Sequence, residues 1–251
     1  MDLRFFDTLE STNKYCELLD PASVGEFTVV CARRQTSGIG QRGNVWVSEP
    51  YKNLTFSIVL KPLFLKAAEQ YSLTMALAVA VAETVTTLLS GTRAVIKWPN
   101  DIYVEDRKIC GILTSNQLVG DAIRQSVCGI GLNVNQTLFP DWVPNPTSLR
   151  LEADREFDVE AVLASLLESV KDCYEALGSD AVSLRDRYMS MLYRLGMESE
   201  YIYKGKEFPE FFGKRIRATI VDVNDFGHLQ LVDSDSRLLT CSLKEVEYVL
   251  G

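Results

Sequence analysis

Histidine is nearly absent. The 251 residues hold one, His228, late in the chain between Gly227 and Leu229. A Ser-His-Asp triad or a histidine-rich metal site would have to be built round that single imidazole, and both are set aside. Paired cysteines are lacking too: Cys16, Cys31, Cys110, Cys128, Cys173 and Cys241 are scattered, with no C-x-x-C, and several lie in apolar strand-like runs. They read as free, buried thiols of a reducing cytosol and not as a disulfide framework. Basic residues are outnumbered, 26 against 34, for a net charge of −8. Neutralising a phosphate backbone needs the opposite excess, so nucleic acid is not expected as the main partner. Long apolar runs are missing as well. The most hydrophobic stretch, Gln70 to Ala82, is closed by Glu69 and Glu83 well short of the ~20 residues of a spanning helix, and reads as a buried helix. Met1-Asp2-Leu3-Arg4 leads straight into a strand-like run, without a basic and then apolar leader. A cytoplasmic protein with no membrane partner is therefore expected.

What is present is an ordinary globular composition, 47% hydrophobic and 24% charged, long enough for one large domain or for one medium and one small. Strand and helix signals alternate through the first two thirds. Leu3 to Leu9, Phe27 to Ala32 and Asn53 to Leu60 read as strands, with a short helix after the N-cap candidates Ser11-Thr12-Asn13. Ala67 to Leu89 carries Leu73, Leu77, Val81, Val85 and Leu88 at helical spacing and is the expected central helix. Ala94 to Trp98 is a strand stopped by Pro99. Ile102 to Glu105 and Lys108 to Thr114 form a hairpin about Asp106-Arg107, with Ala122 to Asn135 beside it. Helices are expected over Val159 to Leu177 and Val182 to Leu195. From about Glu198 the pattern changes to short strands separated by turns, as in a small β-barrel. The expected division is 1–196 and 197–251, an α+β unit followed by an all-β one.

Four segments carry possible chemistry. The loop Gln35 to Trp46 places Gly38, Gly40 and Gly43 around Arg42, with Arg33-Arg34 before it. Such glycines expose backbone N–H groups, and guanidinium groups neutralise anions, so the loop is a candidate anion binder; plain connectors look similar. Lys97-Trp98-Pro99-Asn100-Asp101 gathers a lysine, an aromatic and two polar turn residues at a strand end. Lys108 opens the second hairpin strand; simple alternation puts Cys110 and Ile112 on its face, an apolar backing for a charge aimed at a developing anion. In Gly129-Ile130-Gly131-Leu132-Asn133 the glycines thin one face of a strand, for a ligand or for packing.

Taken together and in order, these segments resemble the biotin protein ligase family. Its motifs are S-T-N, a G-R-G-R-x-G loop followed by Trp, K-W-P-N-D, D-R-K-x-x-G-I-L and G-x-G-x-N. Here they stand at Ser11 to Asn13, Gly38 to Trp46, Lys97 to Asp101, Asp106 to Leu113 and Gly129 to Asn133. The resemblance covers about residues 7 to 150, and the terminal β segment is similar to the family's C-terminal barrel. It implies an α+β fold: a mixed β-sheet catalytic domain of the class II synthetase-like, biotin–lipoate ligase kind, with an SH3-like barrel behind it. The winged helix-turn-helix that some members carry is not expected. The activity implied is formation of biotinyl-5′-AMP from biotin and ATP with Mg²⁺, then transfer of biotin to a lysine of a biotin carboxyl carrier protein or domain.

Carried over by motif position, Ser11, Thr12, Asn13, Gln35, Gly38, Gly40, Arg42, Lys108, Gly111 and Gly131 would bind biotin. Trp46, Asn53, Lys97, Asn100 and Asn133 would bind ATP, and Lys108, Arg42 and Asp101 would carry the chemistry; no metal ligand is assigned. Where the family has two loop arginines this chain has Ile39 and Gln41, so weaker retention of the adenylate is expected. Lipoate or octanoate ligation on the same fold and non-catalytic biotin binding are the alternatives. The carrier, the biotin affinity and the oligomeric state are left open.

Overall fold

The computed structural model describes residues 1–249, the side chain of Arg42 excepted. Its larger sheet begins with β1 (Asp2–Leu9) and β2 (Thr28–Gln35), which run parallel because α1 (Thr12–Glu17) crosses between them. The other strands are β3 (Leu54–Leu60), β4 (Ala94–Lys97), β5 (Asp101–Val104), β6 (Arg107–Val119) and β7 (Ala122–Leu132). They are joined antiparallel in the order β1-β2-β3-β7-β6-β5-β4, so the sheet is mixed, as expected. Central β3 is buried along its whole length, which its unbroken apolar and hydroxyl sequence permits.

One face is covered by α2 (Gln70–Leu88), α4 (Val159–Ser179) and α5 (Ala181–Ser190). Helix α2 is apolar enough in composition to span a membrane, yet its Ala-rich surface is buried between the sheet and its neighbour helices. On the other face, at one end, α1 seals Cys16 over Val24, Val30, Val59 and Val127. Beyond that seal lie Gly129, Gly131 and Gly111, and there the cavity opens.

The helix expected to reach Leu195 stops at Ser190. Ile96 N–H donates to Met191 O (2.8 Å) and Tyr193 N–H to Ile96 O (2.9 Å), so the segment adds to the edge of β4 instead of continuing the helix. Edge pairing satisfies the same backbone groups as another helical turn and also buries Leu192. A five-residue helix, α3 (Leu149–Ala153), was too short to show periodicity.

The C-terminal strands β8 (Glu198–Tyr203), β9 (Arg215–Val223), β10 (Leu229–Asp233), β11 (Leu238–Cys241) and β12 (Val246–Tyr248) form an antiparallel sheet in the order β11-β10-β9-β8-β12. Its inner residues join the hydrophobic core of the larger sheet. Polar ties fix the seam: Trp98 Nε1 donates to Gly227 O (2.9 Å), and Arg185 reaches Asp222 at 2.7 Å.

All six cysteines are free and buried. Burial pushes the Cys16, Cys31, Cys128 and Cys241 thiols up to about 12, and raises Cys110 and Cys173 too. At pH 8 the native protein is therefore expected to resist a thiolate-directed disulfide reagent for minutes, with all six cysteines reacting in denaturant. Fast native labelling of even one would contradict this burial.

Candidate active site

The floor of the cavity follows from strand register. Gly111 on β6 lies opposite Gly131 on β7, and Leu113 opposite Gly129. Each missing side chain makes room for another residue. A Cβ at Gly129 would sit 1.9 Å from Asn13 Oδ1, and one at Gly131 2.4 Å from Trp46 Cε2. Two residues along a strand are about 7 Å, so Asn13 and Trp46 mark two successive levels of one floor.

The first level is a polar head. Thr12 N–H and Oγ1 donate to Gln35 Oε1 at 2.7 and 3.2 Å, Ser57 Oγ lies 2.7 Å from both Thr12 Oγ1 and Asn13 Oδ1, and Asn13 Nδ2 donates to Leu113 O. Ser11 stands at the N-cap of α1 with extended backbone, but its side chain caps nothing. Its Oγ is buried with no partner, a costly state for a hydroxyl unless something else uses it.

The second level is cationic, and here the alternation expected from sequence fails. On β5 and β6, Ile102 pairs with Cys110 and Tyr103 with Lys108, leaving Ile109 as an extra residue. This bulge turns Lys108 away from the face of Cys110 and Ile112 and onto that of Gly111 and Asp101. A Cβ at Gly111 would meet Lys108 Nζ at 3.5 Å; that ammonium lies 5.7 Å from the Trp46 ring and 2.7 Å from Asp101 Oδ1. The last approach is a contact of opposite charges without hydrogen-bond alignment, since Asp101 Oδ1 has no hydrogen-bond partner. Lys97 also lines the cavity, with no carboxylate within 4.0 Å among the described residues. Burial holds its ammonium below the usual lysine range; Asp101 opposes the shift, while Lys108 and Arg194 add to it.

The C-terminal sheet supplies a roof that residue reading missed: Lys204, Lys244, Glu247 and Tyr248. Lysines in turns between short strands ordinarily point to solvent, so only the fold reveals them. Lys204 pairs with Glu247, and Lys244 takes a left-handed backbone (φ 85°). The open cavity is about 960 Å³, and its charged lining is Lys97, Lys108, Lys204 and Lys244 against Asp101 and Glu247. A chain of net charge −8 thus keeps an excess of cations for one cavity.

Ser11, Thr12, Asn13, Gln35, Gly40, Trp46, Lys97, Asn100, Asp101, Lys108, Gly111 and Gly131 all meet at this cavity. Asn100 is also a brace, donating to Ile112 O at 2.6 Å. Three other expected site residues do not line it. Asn53 is a buried strut: its Nδ2 donates to Gln136 Oε1 and Ser48 Oγ, and its Oδ1 accepts Val134 N–H at 2.9 Å. Asn133 donates to Thr147 O at 2.9 Å, and its buried Oδ1 has no partner. Gly38 serves the loop, where a Cβ would lie 2.5 Å from Trp46 O and Trp46 N–H returns to Gly38 O. The Arg42 side chain lies outside the described residues.

Comparison with known proteins fits this architecture. A bifunctional ligase/repressor BirA of Bacillus subtilis is 37% identical over 169 residues, 66% of this chain and 51% of that protein. A biotin–[acetyl-CoA-carboxylase] ligase of Paracoccus denitrificans is 37% identical over 128 residues, 50% of this chain and 51% of the relative. The chain thus spans about half the length of these curated relatives. In fold it is similar to a biotin protein ligase from Aquifex aeolicus in complex with biotin and ATP, with TM-score 0.81 at 23% identity over 100% of this chain and 99% of that one. Residues 5–133, just over half of the sequence and all of the glycine floor, match the biotin/lipoate A/B protein ligase family, and the chain belongs to that family.

Proposed function

We propose that the chain is a biotin protein ligase. It would form biotinyl-5′-AMP and pyrophosphate from biotin and ATP, then pass the biotinyl group to a lysine of a biotin carboxyl carrier domain with release of AMP. The observation that carries this reading is the partnerless Ser11 hydroxyl in a buried polar head, one strand level from the Lys108 ammonium. Biotin has a hydrogen-bonding ureido ring at one end and a carboxylate at the other; a lipoate dithiolane or an octanoate methyl end would leave that hydroxyl unused.

In the first half-reaction a carboxylate oxygen attacks the α-phosphorus and pyrophosphate leaves. Two anions must meet, and Lys108 at the Gly111–Gly131 level is placed to stabilise the negative charge that builds between them. In the second, the carrier lysine amine attacks the acyl carbon and AMP departs; the same ammonium stabilises the leaving phosphate. Lys97, Lys204 and Lys244 supply charge for the remaining phosphates. Magnesium would neutralise phosphate charge, but the residues form no cage for it: Asp101 and Glu247 are each engaged by a lysine, and no group of three candidate ligands occurs among the described residues. Such an ion would be carried on the triphosphate, with water completing its shell.

Biotin-dependent pyrophosphate release from ATP, with lipoate and octanoate as rival acids, tests the assignment. Release with lipoate or octanoate and none with biotin would transfer it to the other branch of the family. A further expectation concerns the loop. Ile39 and Gln41 line the cavity and bring no charge to it. Introducing Ile39→Arg and Gln41→Arg together is expected to slow dissociation of preformed biotinyl-5′-AMP by about tenfold or more, the worth of one charge-assisted hydrogen bond. An unchanged off-rate would show that the adenylate does not lean on this loop.

A further inference from the structure

We propose that Tyr248 is a positioning residue for the nucleotide half of the site: with Tyr103 it clamps the Lys97 ammonium between two aromatic rings and holds it at the cavity. This rests on the ATP-dependent reading above. Lys97 is the last residue of β4, and its Nζ lies 4.5 Å from the centroid of the Tyr248 ring and 5.3 Å from that of Tyr103. Both distances fall within cation–π range. The rings belong to different sheets, Tyr103 to β5 and Tyr248 to β12, so the clamp closes only when the C-terminal sheet is seated.

The rings are themselves held. Tyr248 packs edge-on against Tyr201 at 5.3 Å and tilted by 37° against Tyr193 at 6.0 Å, and Tyr193 also lies 5.9 Å from Tyr103. Just beyond Tyr248, Val249 donates its N–H to Glu200 O and accepts from Arg194 Nη1, each at 3.1 Å. The end of the last strand is thereby tied both to β8 and to Arg194.

Aromatic faces do for this lysine what a carboxylate cannot. Asp101, its cross-strand partner, is turned to Lys108 at 2.7 Å, and no carboxylate comes within 4.0 Å of Lys97 among the described residues. A ring fixes the ammonium without adding a negative charge beside the phosphate. The lowered affinity of this amine for its proton, caused first by burial and only opposed by Asp101, fits a buried cation without a close carboxylate. The Tyr248 hydroxyl is buried with no partner among the described residues, and the Phe variant separates its part from that of the ring.

The test is ATP affinity by calorimetry, together with KM for ATP and for biotin in the pyrophosphate assay. It compares wild type, Tyr248→Leu, Tyr248→Phe, Lys97→Met and the double variant Lys97→Met/Tyr248→Leu. Tyr248→Leu is expected to raise Kd and KM for ATP about tenfold while KM for biotin moves less than about twofold. Tyr248→Phe should restore the wild-type values, and in the Lys97→Met background Tyr248→Leu should add nothing. Equal losses in Leu and Phe variants would show that the hydroxyl meets the ligand and would overturn the clamp. So would a Tyr248→Leu cost that persists without Lys97, the signature of a merely loosened seam. A wild-type chain that binds no ATP would sink the functional reading along with the clamp, whereas an active wild type with additive variants sinks the clamp alone.

Discussion

Lys108→Ala is expected to lower biotin-dependent pyrophosphate release by about a thousandfold, the upper range for removing one preorganised charge stabiliser. Among the described residues the ammonium has no substitute at its level. The cavity lysine Lys97 belongs to the end of β4, and Lys204 and Lys244 come from the roof. Removal also leaves Asp101, now without its 2.7 Å cation, as an uncompensated negative charge beside the point where two anions must meet. Biotin affinity should fall far less, because the Thr12–Gln35–Asn13–Ser57 network one level away does not involve Lys108. Loss of rate with retained binding, measured by single turnover and by biotin titration, is the pattern of an interaction made mainly in the transition state. A variant turning over within about tenfold of wild type would remove Lys108 from the chemistry.

The placement of this lysine shows what a sequence can and cannot disclose. Strands β2, β3 and β7 and helix α2 were legible because their apolar content and period report burial locally. Lys108 was singled out from its turn and its neighbours, but the face it takes was not legible. The extra residue Ile109 is visible only once β5 is paired with β6, and one unpaired residue reverses the alternation on which the backing by Cys110 and Ile112 was argued. Asn53 and Asn133 illustrate a second limit. A buried asparagine in a ligand-bearing segment looks the same in sequence whether it serves a ligand or a backbone carbonyl, and here the three hydrogen bonds of Asn53 all go to the protein. The individual residues of the roof were hidden for a third reason. Lys204, Lys244 and Tyr248 reach the cavity through long-range docking of one sheet on another, which no local pattern encodes.

Gly129→Ala is expected to raise KM for biotin by about a hundredfold, the scale of a misplacement of roughly 1 Å in a positioned site. The added Cβ would lie 1.9 Å from Asn13 Oδ1 and 2.7 Å from its Cγ, so something must move. Asn13 is not a free side-chain end. Ser57 Oγ meets its oxygen at 2.7 Å, its amide donates to Leu113 O, and the neighbouring Thr12 is tied to Gln35 through both backbone and hydroxyl. Displacing it therefore drags the start of α1, and with it the partnerless Ser11 hydroxyl proposed to meet the ureido ring. The strand cannot yield instead, because β7 is paired on both sides, to β3 and to β6. Overpacking of this kind costs about 1–3 kcal/mol, a fall of roughly 3–10 °C in Tm for a chain of this size. Since α1 is a short helix at one end of the floor, the chain should still fold, and the two readouts separate. Crowding at Asn13 that spares KM for biotin while lowering Tm would make this level structural and place the biotin head elsewhere. If KM rises as expected while KM for ATP holds, the order along the strand is fixed: polar head at Gly129, charge at Gly111 and Gly131.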